Sequence, residues 1–196
     1  MRYTIVAVMA VIVVLWTTAV AGTIEGKVSL GNSVVYVEAI PGKTFTAPSE
    51  EPLITQRGLA FNPHLLVVQK GTTVDFENDD SVQHNVFWPS VNGNKKFAHN
   101  LGTWPKGEKR PFKFDQAGVV RLLCNVHAEM SGYILVSPTP YFAQTDSNGN
   151  YRIENVPDGK YTVVAWHEGA KQVSKSVEVA GTGKADFTLP KQIDEP

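Results

Sequence analysis

Cysteine is nearly absent from this chain of 196 residues, which contains a single one, Cys124. One cysteine excludes an internal disulfide bond, so the fold cannot depend on the cross-links that small exported domains commonly use. In an oxidising compartment a lone thiol is buried and inert, paired with another chain, or bound to a metal ion. Burial is the commonest of these states for an isolated cysteine. Only the residues around Cys124 can indicate that it is paired with another chain or bound to a metal ion.

A large surplus of charge of either sign is also missing. The chain has 18 Lys and Arg against 19 Asp and Glu, which gives a formal net charge of -1 at pH 7. Proteins that follow a phosphate backbone usually carry a basic excess, so nucleic acid is not an expected partner. Hydrophobic residues make up 42% of the chain, enough to bury one fair-sized core or two small ones. The composition therefore predicts a globular protein.

The beginning of the chain has the layout of an export signal. Arg2 is followed by an apolar run from Ile5 to Val20 and by the small residues around Ala21. This order predicts a secretory signal peptide over residues 1–21, cleaved after Ala21, and hence a periplasmic or otherwise exported protein. The alternative is an uncleaved signal that acts as a membrane anchor, because the apolar run is near the lower length limit for a spanning helix.

Sustained helical periodicity is absent from the rest of the chain. Short runs of β-branched and aromatic residues alternate with Gly, Pro, Asn and Asp, which predicts an all-β fold. The predicted strands cover residues 23–29, 33–39, 65–68, 73–77, 85–88, 110–114, 118–124, 132–137, 141–145, 151–156, 159–167, 171–179 and 185–189.

Four residues with metal-binding side chains are expected to converge in the middle of the chain. Cys124, His127 and Met130 have the spacing C-x-x-H-x-x-M on a tight loop between two predicted strands, and His84 begins a neighbouring strand. A thiolate and two imidazoles suit copper in a trigonal arrangement, with a thioether along the axis. Zinc accepts the first three but usually takes a harder fourth ligand. Each residue alone is better explained by burial or surface exposure, but the four together favour copper.

The residues around these ligands resemble the cupredoxin family, whose members include plastocyanin and amicyanin. Similar motifs are the F-x-P run of residues 59–63, the V-x-x-G-x-x-V-x-F-x-N run of 65–79, His84-Asn85-Val86, residues 114–118 and the ligand loop 124–130. The resemblance implies a Greek-key β-sandwich with one type 1 (blue) copper ion. It implies His84, His127 and Cys124 as strong ligands and Met130 as the axial ligand. It also implies that Asn85 ties the two ligand segments together and hydrogen-bonds the sulfur.

A second resemblance covers the end of the chain. The hairpin pattern from Thr145, with turn dipeptides at Asn148-Gly149 and Asp158-Gly159, is similar to a carboxypeptidase regulatory-like, transthyretin-type β-sandwich. Residues 22–57 resemble its opening strands, or are the first strands of the cupredoxin domain. The cupredoxin domain is predicted at 58–137 and the regulatory-like sandwich at 138–190. Insertion of one in the other and a tandem arrangement both remain open.

The combination resembles plastocyanin-like proteins that are often labelled methylamine utilisation proteins, and it implies an electron-transfer protein rather than an enzyme. Electrons are expected to pass through the exposed edge of His127, framed by Val126 and Ala128. The expected partner is a c-type cytochrome or a periplasmic dehydrogenase or reductase, with no small-molecule substrate. The alternatives are a copper-delivery protein and a structural sandwich with incidental metal binding. Asp79 and Asp80 are expected to be solvated loop charges.

Overall fold

The structure is a computed structural model that describes residues 21–192. The predicted signal peptide lies outside these residues except for Ala21, which begins the first strand. The described residues form β-strands and one short 3₁₀ turn, Lys95–Phe97, with no α-helix, so the all-β prediction is confirmed. Within residues 21–192, no helix has the length and apolar character needed to cross a membrane.

The strands are numbered in chain order. They are β1 (Ala21–Lys27), β2 (Val34–Val37), β3 (Leu53–Gln56), β4 (Phe61–Asn62), β5 (Leu65–Gln69), β6 (Thr73–Asn78), β7 (His84–Trp88), β8 (His99–Trp104), β9 (Lys109–Lys113), β10 (Gly118–Leu123), β11 (Ser131–Ser137), β12 (Phe142–Gln144), β13 (Asn150–Pro157), β14 (Gly159–His167), β15 (Ala170–Val179) and β16 (Thr182–Lys184).

Strands β3 to β11 form a sandwich of two sheets, which we call the middle sandwich. One sheet has the strand order β5-β11-β10-β7-β8 and the other β4-β3-β6-β9. The pairs β5–β11 and β3–β6 are parallel, whereas the other pairs are antiparallel. Three of these strands, β3, β4 and β8, are missing from the predicted set. They are short or polar, and their extended conformation comes from pairing with neighbours that are distant in the sequence.

The remaining strands form two further sheets, which we call the outer sandwich. Their strand orders are β13-β1-β16 and β12-β2-β14-β15. The chain therefore begins in the outer sandwich with β1 and β2, passes through the middle sandwich, and returns with β12 to β16. β3, Leu53–Gln56, pairs with β4 and β6 of the middle sandwich, although the predicted boundary lies after it at residue 58.

Alternation along the strands decides which side chains form the cores. In β6, Val74, Phe76 and Asn78 face the space between the sheets and are buried, while their neighbours in sequence are partly exposed. Each sandwich has its own hydrophobic core. A smaller cluster around Leu135 and Trp166 joins residues of the two sandwiches. Apolar burial of this kind is the main favourable term in folding.

One turn of the outer sandwich is closed by a carboxylate. Asp146 Oδ1 accepts hydrogen bonds from the N–H groups of Asn148 and Asn150, at 2.9 and 2.8 Å. Hydrogen bonds from the side chain and backbone of Asn150 hold the pKa of Asp146 below its ordinary value. The Gly149 N–H donates to the Asp146 carbonyl at 3.0 Å, so the segment is a turn, as the Asn148-Gly149 dipeptide predicts. It is not a hairpin, because β12 and β13 belong to different sheets.

Gln56 is an exception to the apolar interior of the middle sandwich. Its side chain is fully buried, and neither end of its amide has a hydrogen-bond partner among the described residues. A buried amide without partners destabilises a fold by about 1–3 kcal/mol.

We therefore predict that Gln56→Leu raises the free energy of unfolding of the metal-free protein by about 1–2 kcal/mol, because it removes unpaired polar atoms at similar volume. Urea denaturation measures the change. Gln69→Leu is the matched control, since the Gln69 amide is also buried but donates to the Thr46 carbonyl at 3.0 Å. Equal stabilisation by both substitutions, or destabilisation by Gln56→Leu, would contradict the prediction.

Candidate metal centre

Three neighbouring strands of the middle sandwich position the candidate ligands. His84 is the first residue of β7, and Cys124 directly follows β10. β10 pairs with β11 up to Leu123 opposite Ser131, so the ligand loop 124–130 closes a tight connection between them. β7 pairs with β10 at Phe87 opposite Leu123, which brings His84 to the same end of the sheet. Antiparallel pairing thus joins residues that are 40 positions apart in sequence (84 and 124).

The structure brings His84, Cys124 and His127 into one cluster. One ligand atom from each residue lies within 4.8 Å of the others. The Nδ1 atoms of His84 and His127 are 3.1 Å apart. Two nitrogens bound to one metal ion at about 2.0–2.1 Å can be at most about 4.2 Å apart, so this spacing fits a shared ion. Within residues 21–192, no other group of three His, Cys, Asp or Glu side chains comes together in this way.

The cluster is buried on one side and open on the other. His84 and Cys124 are buried, while His127 is partly exposed. Met130 is buried in the middle core, and its N–H donates to the His127 carbonyl at 3.1 Å. The structure therefore places Met130 at the end of the ligand loop, and its role as axial ligand stays a prediction.

Asn85 contacts both the sulfur and the ligand loop. Its backbone N–H donates to Cys124 Sγ at 3.4 Å, and its Oδ1 accepts from the Asn125 N–H at 3.4 Å. Its Nδ2 donates to Asn100 Oδ1 and to the Gly102 carbonyl, both at 2.8 Å. Asn85 therefore connects the Cys124 sulfur, the ligand loop and β8 through hydrogen bonds.

Asp80 is not a solvated loop charge, and that prediction is wrong for this residue. Its Oδ2 lies 2.8 Å from His84 Nε2, and its carboxylate also accepts from the N–H groups of Gly58 and Leu59, at 2.8 and 3.1 Å. With Nε2 engaged by the carboxylate, Nδ1 is the nitrogen of His84 that is left for a metal. Asp79, in contrast, makes exposed ion pairs with Arg57 and Lys106, as a solvated charge does.

Asn78 holds the loop that carries Asp80 and His84. Its Nδ2 donates to the carbonyls of Val82 and Trp104, at 2.8 and 2.9 Å, and its Oδ1 accepts from the Asp80 N–H at 2.9 Å. No role for Asn78 was predicted from the sequence. The signal that could have indicated one is its position in the cupredoxin-like run of residues 65–79.

The electrostatics of Asp80 follow from these contacts. Burial on its own would raise the pKa of Asp80, but hydrogen bonds from the Gly58 and Leu59 N–H groups and from His84 outweigh it and hold that pKa at about 2. Asp80 is therefore a carboxylate at neutral pH. It stabilises a proton on Nε2 of His84, and this leaves the Nδ1 lone pair free to bind a metal.

The other three histidines lie outside the cluster. His64 Nε2 contacts Glu168 Oε2 at 2.8 Å in an exposed pair between the two sandwiches. His99 packs against the rings of Trp88 and Phe112. His167 Nδ1 accepts from the Gly169 N–H at 3.0 Å.

Large apolar side chains are exposed on the segments that carry the cluster. Val126 is 51% exposed, Val82 45% and Leu59 41%. Val126 precedes His127, Val82 lies two residues before His84, and Leu59 is hydrogen-bonded to Asp80. We call these three residues the apolar rim. Ala128, on the other side of His127 from Val126, is exposed as well.

Two segments of the chain match models of known families. Residues 52–137 match the copper binding proteins, plastocyanin/azurin family. The cupredoxin resemblance predicted for the middle of the chain is therefore confirmed, and the His-Cys-His cluster lies within a copper-binding fold. Residues 127–190 match the carboxypeptidase regulatory-like domain, which confirms the second predicted resemblance.

Several solved structures are similar to part of the chain. A mutant of amicyanin in its Cu(I) form is 21% identical over 50% of this chain and 97% of its own, with a TM-score of 0.42. A purple cupredoxin from Nitrosopumilus maritimus is 28% identical over 44% of this chain and 100% of its own, with a TM-score of 0.40. A copper-containing nitrite reductase from Thermus scotoductus is 24% identical over 51% of this chain and 25% of its own, with a TM-score of 0.42. No curated protein matches the sequence.

The depressed pKa of Asp80 makes the stability of the metal-free protein depend on pH. A carboxyl group whose pKa falls from 3.8 to about 2 on folding contributes stability above pH 4, and this contribution is lost as the pH falls toward 2. We predict that, between pH 5 and pH 2, the free energy of unfolding falls by about 2 kcal/mol less in Asp80→Asn than in the unmodified protein. Urea denaturation at both pH values measures it.

Asp79→Asn is the control for this experiment. The Asp79 carboxylate makes ion pairs on the surface, and such pairs contribute little to stability. The control should keep the pH dependence of the unmodified protein. An Asp80→Asn variant that loses as much stability on acidification as the unmodified protein would contradict the assignment.

Proposed function

We propose that this chain is an exported type 1 copper protein that carries single electrons between redox partners of the periplasm. The observation that carries the proposal is the cluster of His84, Cys124 and His127 within a segment that matches a copper-protein family. The predicted signal peptide supports the compartment.

The donor atoms of the cluster suit one copper ion. A copper ion bound by one thiolate and two imidazoles, with Met130 as a weak axial ligand, would supply one-electron exchange between Cu(I) and Cu(II). The chain supplies a rigid frame for this exchange. His84 and Cys124 are held by neighbouring strands, and Asp80 and Asn85 hold them by hydrogen bonds. Ligands held in this way change position little when the charge of the ion changes.

His127 is the proposed point of exit for the electron. It is the most exposed of the three clustered ligands, and it is flanked by Val126 and Ala128. An apolar rim around an exposed ligand edge excludes water at contact and needs no specific charge pairing, which suits a brief encounter that must end again. The proposed partner is a c-type cytochrome or a periplasmic dehydrogenase or reductase.

An electron carrier is proposed rather than an enzyme because the cupredoxin-like fold and one metal cluster are sufficient for electron transfer. A nitrite reductase is among the similar structures, but this chain spans 25% of its length. Nothing among the described residues of this chain groups further histidines into a second metal site.

We predict that Cu(II) added to the metal-free protein produces an intense visible absorption band, because a buried thiolate donates charge to copper. Titration with an optical and paramagnetic-resonance readout should saturate at one copper per chain. Cys124→Ser should abolish the band, since it removes the thiolate. His64→Ser should leave it intact, because His64 lies in an exposed pair with Glu168 outside the cluster.

A colourless adduct, or a band that survives Cys124→Ser, would contradict the proposal. Electron transfer from the Cu(I) protein to an oxidised c-type cytochrome tests the carrier role separately. A protein that binds copper with this spectrum but releases the ion instead of an electron would be a delivery protein.

A further inference from the structure

The turn between β3 and β4 has an unusual backbone. The Arg57 N–H donates to the Ala60 carbonyl at 3.0 Å, which closes a hairpin with Gly58 and Leu59 at its tip. Both tip residues have positive φ angles, 63° for Gly58 and 57° for Leu59. A type I′ turn requires this conformation, and glycine adopts it freely. Leucine adopts it rarely, because its Cβ crowds the backbone.

Packing does not explain a leucine at this tip, because Leu59 is 41% exposed. An exposed turn position with positive φ is ordinarily occupied by Gly, Asn or Asp, which lower the strain and favour contact with water. Leu59 has neither advantage. Residues held in such sparsely populated conformations concentrate at functional sites, where surrounding contacts hold them in place.

The contacts that hold this turn come from Asp80. The Gly58 N–H donates to Oδ1 at 2.8 Å, and the Leu59 N–H donates to Oδ2 at 3.1 Å. The same Oδ2 lies 2.8 Å from Nε2 of His84. One carboxylate therefore joins a metal ligand to both backbone groups of a strained surface turn. The Asp80 side chain is partly buried, at 18% exposure, whereas its two hydrogen bonds to the turn lie at the surface.

We propose that Asp80 is a positioning residue that couples metal binding at His84 to the position of Leu59 in the apolar rim. When Nδ1 of His84 ligates a metal, the ring proton must be on Nε2, which then donates to Asp80 Oδ2. The Nδ1 atom of His84 also lies 3.1 Å from Nδ1 of His127, so the ring is held between a second candidate ligand and the Asp80 carboxylate. A metal ion bound at Nδ1 would fix the ring of His84, and a fixed ring would hold the carboxylate where it accepts both turn N–H groups.

The consequence is that Leu59, one residue of the apolar rim, is more ordered in the metal-loaded protein. Coupling of this kind is reciprocal, so a turn that is held more tightly also favours ligation by His84. The docking part of this inference depends on the proposed electron-transfer function. The coupling part depends only on metal binding at His84.

Hydrogen exchange of backbone amides, measured by NMR on the whole protein with and without Cu(I), tests the coupling. Cu(I) is diamagnetic and leaves the spectra readable. The exchange of the Gly58 and Leu59 amides should slow by about tenfold on Cu(I) binding, within the usual range for coupled sites. The Asn148 and Asn150 amides are the internal control, because Asp146 closes their turn in the outer sandwich. Their exchange should not change.

Asp80→Asn should abolish the response at Gly58 and Leu59, because an amide cannot accept from all three donors. Gly58 and Leu59 amides that do not respond to Cu(I) in the unmodified protein would overturn the coupling, and so would a full response in Asp80→Asn. The comparison within the unmodified protein decides the question even when the variant does not fold.

Electron self-exchange between copies of the protein tests the docking role without an identified partner. Leu59→Asn keeps a residue that tolerates positive φ but removes the apolar side chain, so self-exchange should slow by about tenfold while the Cu(I) response of the turn remains. Leu53→Asn is the matched control, because Leu53 is 37% exposed at the start of β3, remote from the turn. Equal rates in both variants would overturn the docking role.

The amide exchange and electron-transfer measurements distinguish failure of the coupling from failure of the proposed function. Amides that respond in a protein that does not transfer electrons would support the coupling and contradict the carrier. Rapid electron transfer in a protein whose Gly58 and Leu59 amides do not respond to Cu(I) would support the carrier and contradict the coupling.

Discussion

A buried cluster of metal-binding side chains keeps one arrangement only if hydrogen bonds orient its ligands. Burial of an unpaired polar or charged group is strongly unfavourable, and a ligand that is free to turn away does not define a site. In this chain Asp80 meets that constraint for His84, Asn85 meets it for Cys124, and Asn78 holds the loop between them. The arrangement of the ligands depends on these three hydrogen-bonding side chains.

The fold brings these groups together from distant parts of the sequence. β7, β10 and β11 lie side by side, so the first ligand and the ligand loop meet at one end of a sheet. β3 and β4 belong to the facing sheet, and their turn reaches the same end through Asp80. The centre therefore joins both sheets of the middle sandwich. His127 at this end is partly exposed, whereas His84 is buried and contacts the Asp80 carboxylate.

Patterns in the sequence predicted the parts that depend on local chemistry. Alternating β-branched runs predicted an all-β chain, and the spacing of Cys124, His127 and Met130 on one loop singled out the candidate site. The cupredoxin-like and regulatory-like resemblances are confirmed by the family matches. The choice between insertion and tandem order could not be made, because pairing between β1 and β13 leaves no signal in either strand.

The role of Asp80 was missed for a similar reason. Its sequence neighbours, Asp79 and Ser81, are those of a polar loop, and the turn that it holds lies 21 and 22 positions away. Gln56 was also invisible, since one polar residue in a short strand gives no sign of its surroundings. Local propensity reports the exposed or buried face of a strand, whereas three-dimensional contacts decide which polar residues serve a site.

X-ray absorption at the copper edge of the copper-loaded protein shows whether Cys124 and the two histidines bind the ion, because it counts the ligands of the ion. We expect two imidazole nitrogens and one thiolate sulfur in the strong ligand set, with loss of that sulfur in Cys124→Ser. A strong ligand set of nitrogen and oxygen alone, or a spectrum unchanged by Cys124→Ser, would contradict it.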